Sequence, residues 1–220
     1  MKAFWFNQAA NVGDVLTPWL IERLLGAPAE WCEPDGVERV LLLAGSLLTP
    51  EVNLEGTVVI GTGAMLGGVE LRGKPAHVVG VRGPMTRQLL LDNGIACPSR
   101  FFDPAQWLPL LYQPIEPAHK TALGVVPHYI DAVSPWVAQA KEEGARIIDV
   151  GAPVEKFVDA LVSCARIVTS SLHGYILAEA YGLPVEWVEL SDKVAGERFK
   201  FYDWGLRGPA HTIRSDKEKS

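Results

Sequence analysis

Short apolar runs alternate with longer amphipathic stretches along the whole chain, an alternation that predicts parallel strands joined by crossover helices. In the first half strands are expected at Ala3 to Phe6, Val40 to Leu43, Val58 to Ile60 and His77 to Val81. Helices fit Val15 to Leu25, with Leu16, Leu20 and Leu24 on one face, and Pro84 to Asn93, which opens on proline and closes before Gly94. A third, short helix is expected after Asp103. The pattern breaks between Leu111 and Lys120, where two prolines sit among mixed polar residues, and then restarts. Strands are expected at Ala122 to Val126, Ala145 to Val150, Ala165 to Thr169 and Pro184 to Leu190. Helices are expected at Ser134 to Glu143, Pro153 to Cys164 and Leu172 to Tyr181. The order predicts an α/β protein of two Rossmann-like doubly wound halves facing a cleft: residues 1–115, residues 116–205, and a polar tail over 206–220.

Composition narrows the function classes. The chain has 220 residues, 48% hydrophobic, with 20 basic against 26 acidic side chains and a formal charge of −6, the wrong sign for neutralising nucleic acid phosphates. Cys32, Cys97 and Cys164 have neither CxxC nor Cys/His ligand spacing, so neither a disulfide framework nor a metal site is expected. The start reaches Asn7, Gln8 and Asp14 too soon for a secretory leader, and no later segment holds 18 unbroken apolar residues. A cytoplasmic protein without a transmembrane segment is expected.

The clearest pointer to chemistry is TSSLHG, Thr169 to Gly174, between the β-type run ARIV and the helical run YILAEAYG. A strand that ends in hydroxyl residues and opens a helix gathers unpaired N–H groups, hydroxyls and an imidazole at one point, which suits an anion. The plainer alternative is a helix cap at Ser170 or Ser171 with His173 packed beneath it. In NQAANVGDVL the loop lacks GxGxxG. Asp14 is either a cap or first-turn acid, or it joins Asn11 in binding sugar hydroxyls or serves as a base. AGSLL (Ala44 to Leu48) and GTGAMLGG (Gly61 to Gly68) put glycines, Gly63 among them, at strand ends where backbone approaches either a ligand or a helix. In VVGVRGPMTRQLL, Arg82 ends a buried strand; it either meets a carboxylate such as Asp103 or forks onto a substrate anion, while Arg87 reads as structural. VVPHYID puts His128 and Asp131 after a strand, facing the expected cleft. Lys193 and Lys200 follow the last strand and would reach over that cleft or stay solvated. His77, His119 and His211 have no clear chemical setting.

Taken in order, NVGD, AGSLL, GTG, VRGPMTRQLL, DPA, VVPHYID, TSSLHGYILAEAYGLP, SDKV and FKFYDW resemble the polysaccharide pyruvyl transferase family, over about Asn11 to Trp204. The resemblance implies a GT-B-like fold and transfer of the enolpyruvyl unit of phosphoenolpyruvate onto two hydroxyls of a sugar as a ketal, with release of phosphate. Phosphoenolpyruvate is then a donor substrate, no separate cofactor is implied, and the other partner is a sugar or lipid-linked oligosaccharide. Peripheral contact with the inner membrane fits that acceptor; apart from the resemblance, Trp136 and Trp204 are candidates for membrane or glycan contacts, with core packing the plainer alternative. Residue by residue, His173 matches the family's motif histidine and Arg82 the arginine of its VR segment.

On this reading His173 protonates the methylene carbon as general acid, Arg82 holds carboxylate or phosphate, and Asp14 or Asp131 takes the hydroxyl proton. Ser170, Ser171, Leu172 and Gly174 with Lys193 and Lys200 form the donor side. Asn11, Gly63, His128 and Asp131 form the acceptor side. Many members have arginine immediately before LHG where this chain has Ser171, so that either Arg166, Lys193 or Lys200 replaces that cation or the anion is bound more weakly. Two other classes stay open: a GT-B-type glycosyltransferase using a nucleotide sugar, and a non-catalytic anion- or glycan-binding relative.

Overall fold

The apolar runs become two parallel sheets. The computed structural model describes residues 1–7, 11–115, 120–194, 196 and 198–213. In the first half β1 (Lys2–Phe4), β2 (Glu30–Trp31), β3 (Leu41–Leu42), β4 (Val58–Ile60) and β5 (His77–Gly80) lie in the order β2-β1-β3-β4-β5. In the second, β6 (Gly124–Val126), β7 (Arg146–Ile147), β8 (Ile167–Thr169), β9 (Val185–Glu189) and β10 (His211–Thr212) lie in the order β10-β9-β8-β6-β7. All described pairings within both sheets are parallel. Numbered within its own half, each sheet has the doubly wound order 2-1-3-4-5. That order leaves a crevice at the C-terminal ends of its first and third strands, where the winding reverses. The crevices fall beyond β1 and β3 in one half and beyond β6 and β8 in the other.

Around the sheets run α1 (Val12–Leu25), α2 (Pro84–Asp92), a 3-10 turn (Pro104–Trp107) continuing into α3 (Leu108–Leu111), α4 (Pro135–Glu142), α5 (Val154–Val162), α6 (Leu172–Ala180) and α7 (Phe199–Asp203). The first helix starts three residues before its expected start because Asn11, not Asp14, is the cap: its side chain accepts the Gly13 N–H at 3.1 Å. Asp14 is the first-turn acid. The helix ends where Gly26 turns left-handed at φ 67°, as helices commonly do at glycine.

The halves are joined by one apolar core. Val12, Leu16 and Leu20 of α1, with Ala105 and Leu108, pack among Phe157, Leu161, Ile176, Leu177 and Trp187 of the second half. Phe157 is wholly buried there, and truncating such a side chain to alanine costs about 3–5 kcal/mol. A second cluster, including Leu42, Val59, Val78 and Leu90, draws its buried members from the first half, with Phe199 of α7 packed against it.

Three elements were not expected from the pattern: β2, α7 and β10. The expected tail over 206–220 is corrected by β10, whose His211 and Thr212 pair with Val188 and Glu189. Residues 214–220 lie outside the described residues, as do 116–119, which include His119 and the start of the expected second half. Trp136 and Trp204 are half-buried against core clusters, and the Trp204 indole donates to Glu179 at 3.0 Å. No described helix is long and apolar enough to cross a membrane.

Candidate active site

The two crevices face each other across a cavity of about 270 Å³. From the first half come Phe6, Asn11 and Asp14 after β1, and Gly45 and Ser46 after β3. From the second come His128 and Tyr129 after β6, Ser171, Leu172 and His173 after β8, and Lys200 on α7. With Met65 from the loop after β4, five strand ends and one helix thus meet at one point, the ends at the two winding reversals among them.

His173 sits in the first turn of α6, 7% exposed. Its Nε2 lies 3.4 Å from Oδ2 of Asp103, and neither buried atom has a nearer polar partner among the described residues. The other oxygen of Asp103 accepts the Ala105 N–H at 2.9 Å, so the carboxylate is held by the 3-10 turn it caps. Nε2 thus faces the Asp103 carboxylate, and Nδ1 lies on the side of α1. Gly13 makes room for it: a Cβ there would lie 2.1 Å from Nδ1.

The cavity gathers titratable groups whose pKa values are displaced, a common mark of a functional site. Burial raises Asp14 to about 6, against the opposing charges of His173 and Lys200. Burial and then the nearby Arg82 charge lower Lys200 to about 8, while Asp14 and Asp131 pull it the other way. Burial and Lys200 lower His128 to about 4, so it is neutral at pH 7. Its Nδ1 accepts the Ile130 N–H at 3.4 Å, which assigns the proton to Nε2.

At the start of α6 the Ser171 side chain caps the helix, accepting the Gly174 N–H at 3.4 Å. The Ser170 N–H donates to the Val126 carbonyl and the Ser171 N–H to Thr169 Oγ1. The N–H groups of Leu172 and His173 have no acceptor among the described residues. Of the N–H groups expected to cradle an anion, those of Ser170 and Ser171 are thus already engaged, and at this helix start those of Leu172 and His173 are the ones left without an acceptor among the described residues.

Other expectations are also corrected. Arg82 is 1% exposed and does not line the cavity: Nε donates to Asp203 Oδ2 (3.1 Å), one terminal nitrogen to Ser46 Oγ (2.8 Å) and the other to the Ala64 carbonyl (2.7 Å). Gly63, expected on the acceptor side, makes room for that packing, since a Cβ on it would fall 2.1 Å from the guanidinium carbon, and it does not line the cavity. Gly174 lets α6 lie against β6 and β8, where a Cβ would meet Thr169 Oγ1 at 2.5 Å. Asp131 accepts the hydroxyls of Ser170 (2.6 Å) and Ser191 (2.5 Å) and lines a neighbouring cavity of about 360 Å³, as does Ser170. Lys193 and Arg166 are exposed and line neither cavity, which leaves Lys200 as the cation that faces the site.

Sequence reasoning named Asp103 only as a partner for Arg82 and missed Asp203 and Ser46. DPA carried a signal for Asp103, since aspartate before proline is a helix-start pair that aims a carboxylate inward. Among the described residues no group of three or more His, Cys, Asp or Glu is placed to hold a metal ion.

The model of the family described as polysaccharide pyruvyl transferase matches residues 70–191. The chain belongs to that family. The matched span holds Arg82, Asp103, His128 and the whole TSSLHG segment, but not Asn11, Asp14, Ser46 or Lys200. Two curated proteins are similar over most of the chain. The succinoglycan biosynthesis protein ExoV of Rhizobium meliloti (strain 1021) is 29% identical, the match covering 91% of this chain and 62% of that protein. The uncharacterized protein L143 of Acanthamoeba polyphaga mimivirus is 26% identical, covering 91% of this chain and 71% of that protein. The match with the succinoglycan protein thus spans less than two thirds of that relative's length. No solved structure matches the chain.

Proposed function

We propose that the protein transfers the pyruvyl group of phosphoenolpyruvate onto two hydroxyls of a sugar as a ketal, in the synthesis of an extracellular polysaccharide. The observation that carries this reading is the facing of His173, backed by Asp103, with Lys200 and Asp14 in one cavity of a pyruvyl transferase family member. Succinoglycan biosynthesis, named for one relative, supports the polysaccharide context. A GT-B-like pairing of the two halves about that cavity, and a cytoplasmic site of action, are part of the same proposal.

The chemistry divides between the two sides. Lys200 and the Leu172 and His173 N–H groups hold the donor's phosphate and carboxylate at the start of α6. His173 Nδ1 gives a proton to the methylene carbon, and the cationic centre that forms is attacked by a sugar hydroxyl. Asp14 takes that hydroxyl's proton. The C–O bond to phosphate then breaks with its electron pair on phosphate, and the second hydroxyl closes the ketal, its proton leaving with phosphate. Asn11 and neutral His128 orient the sugar.

The test is thermal shift with phosphoenolpyruvate, then with uridine and guanosine nucleotide sugars, followed by an acceptor screen read by mass for the ketal. A ligand at about 100 times its Kd adds roughly 2.7 kcal/mol of stability. Stabilisation by phosphoenolpyruvate is expected; stabilisation by a nucleotide sugar alone would replace this reading with the glycosyltransferase one.

A further inference from the structure

We infer that Asp203, acting through Arg82 and the start of α2, is the positioning group that sets Lys200 in the cavity, making α7 a strap from the second half onto the first. For its donor-binding arm this inference rests on the pyruvyl-transfer reading; for its geometry it does not.

Helix α7 has five residues and cannot hold its own shape. Two anchors fix it. On one side Phe201 stacks on Trp187, centroids 4.1 Å apart. On the other, wholly buried Asp203 accepts the Thr86 N–H at 2.7 Å, the Thr86 hydroxyl at 2.6 Å and Arg82 Nε at 3.1 Å. Helix α2 has glycine at its N-cap and no side-chain cap of its own, so Asp203 satisfies a first-turn N–H of that helix from another element. The main chains touch at Gly83, where a Cβ would lie 1.7 Å from the Asp203 carbonyl oxygen. Lys200 lies one helical turn before Asp203, so the docked carboxylate sets the direction in which the lysine leaves the strap.

The same ion pair shapes the field around Lys200. Arg82 faces it from the end of β5, Asp14 from α1, and Asp131 and His128 from the loop after β6; His173 on α6 shares the cavity. Asp203 neutralises the guanidinium that would otherwise repel the lysine. Asp203→Asn removes the carboxylate hydrogen-bonded to that guanidinium and leaves only Asp103 to oppose its charge, whereas Arg82→Met with Asp203→Asn removes both partners of the ion pair.

The experiment follows the lysine Cε resonance of Lys200, assigned by its loss in Lys200→Arg, through a pH titration of the full chain. Asp203→Asn is expected to lower the midpoint by ~1 pH unit, and the double variant to raise it above wild type, because like charge within a few ångströms disfavours the charged form. A strap that only stabilises the fold would leave both midpoints where they are, and that result overturns the inference. Should Asp203→Asn fail to fold, the double variant decides alone. In parallel, the Kd for phosphoenolpyruvate is expected to rise about tenfold in Asp203→Asn. Midpoints that move as stated with no phosphoenolpyruvate binding even to wild type would leave the strap standing and remove the pyruvyl reading.

Discussion

The starts of α1 and α6 are built alike and charged oppositely. Each follows a strand at the winding reversal of its sheet, each is capped by a short polar side chain, Asn11 or Ser171, and each opens on the same cavity. In its first turn α1 carries the carboxylate of Asp14, which repels an anion. In the corresponding turn α6 has two N–H groups without acceptors among the described residues, the His173 imidazole and no acid. One fold device, used twice, thus sets a helix start that carries an acid against one that carries none, and the proposed function gives the first the hydroxyl proton and the second the phosphorylated acid.

The sharpest way to break that comparison is His173→Ala. Phosphate release with a competent acceptor should fall by about 10²–10⁴-fold, while phosphoenolpyruvate binding by calorimetry stays close to wild type, since the helix N–H groups and Lys200 remain. Unchanged release would remove the imidazole from the chemistry. Gly13→Ala should approach the same loss without touching the imidazole's own atoms, because the new Cβ takes the space of Nδ1.

Asp14→Asn sharpens the other side. With Asp14 near 6 and Lys200 near 8, kcat/KM should rise as pH climbs through about 6 and fall through about 8. The asparagine variant should lose the acidic limb and keep the alkaline one. Stability should move the opposite way. A carboxyl whose folded pKa is raised favours the folded state below its unfolded value, and that support is lost as pH rises through about 6. At pH 7 the variant should therefore be more stable by about 1–2 kcal/mol, read by urea denaturation. A variant that is both less stable and unchanged in its pH profile would contradict the placement of Asp14.

The smallest effects concern the caps. Asn11→Ala and Ser171→Ala should each cost about 1 kcal/mol, as lost caps do. Only Ser171→Ala should weaken phosphoenolpyruvate binding as well, because its hydroxyl stands beside the free N–H groups. Equal effects on binding would erase the distinction between the two helix starts.

Local pattern was enough for the parts that local physics determines. Val58–Ile60 is a strand where the apolar run said so, Ser134 caps α4, and TSSLHG pointed to the cavity because a strand end, a cap and a helix start lie within six residues. What stayed hidden depends on distance along the chain. For Arg82 the sequence leaves a carboxylate partner and a substrate fork both open, because the carboxylate it bonds, Asp203, is 121 residues away in a segment with no periodicity. The two-residue strand β10 looked like tail because its pairing comes from β9, not from its own composition. Asp131 looked like a candidate base, yet two serine hydroxyls from separate loops occupy its oxygens.

The most direct test of the central claim, that the donor acid docks against His173 at the start of α6, is a titration with phosphoenolpyruvate followed by the imidazole nitrogen resonances of the five histidines. Saturable movement of the His173 and His128 signals, with those of His77 and His211 at rest, is the expected result. Saturable binding that leaves His173 unmoved would contradict the account.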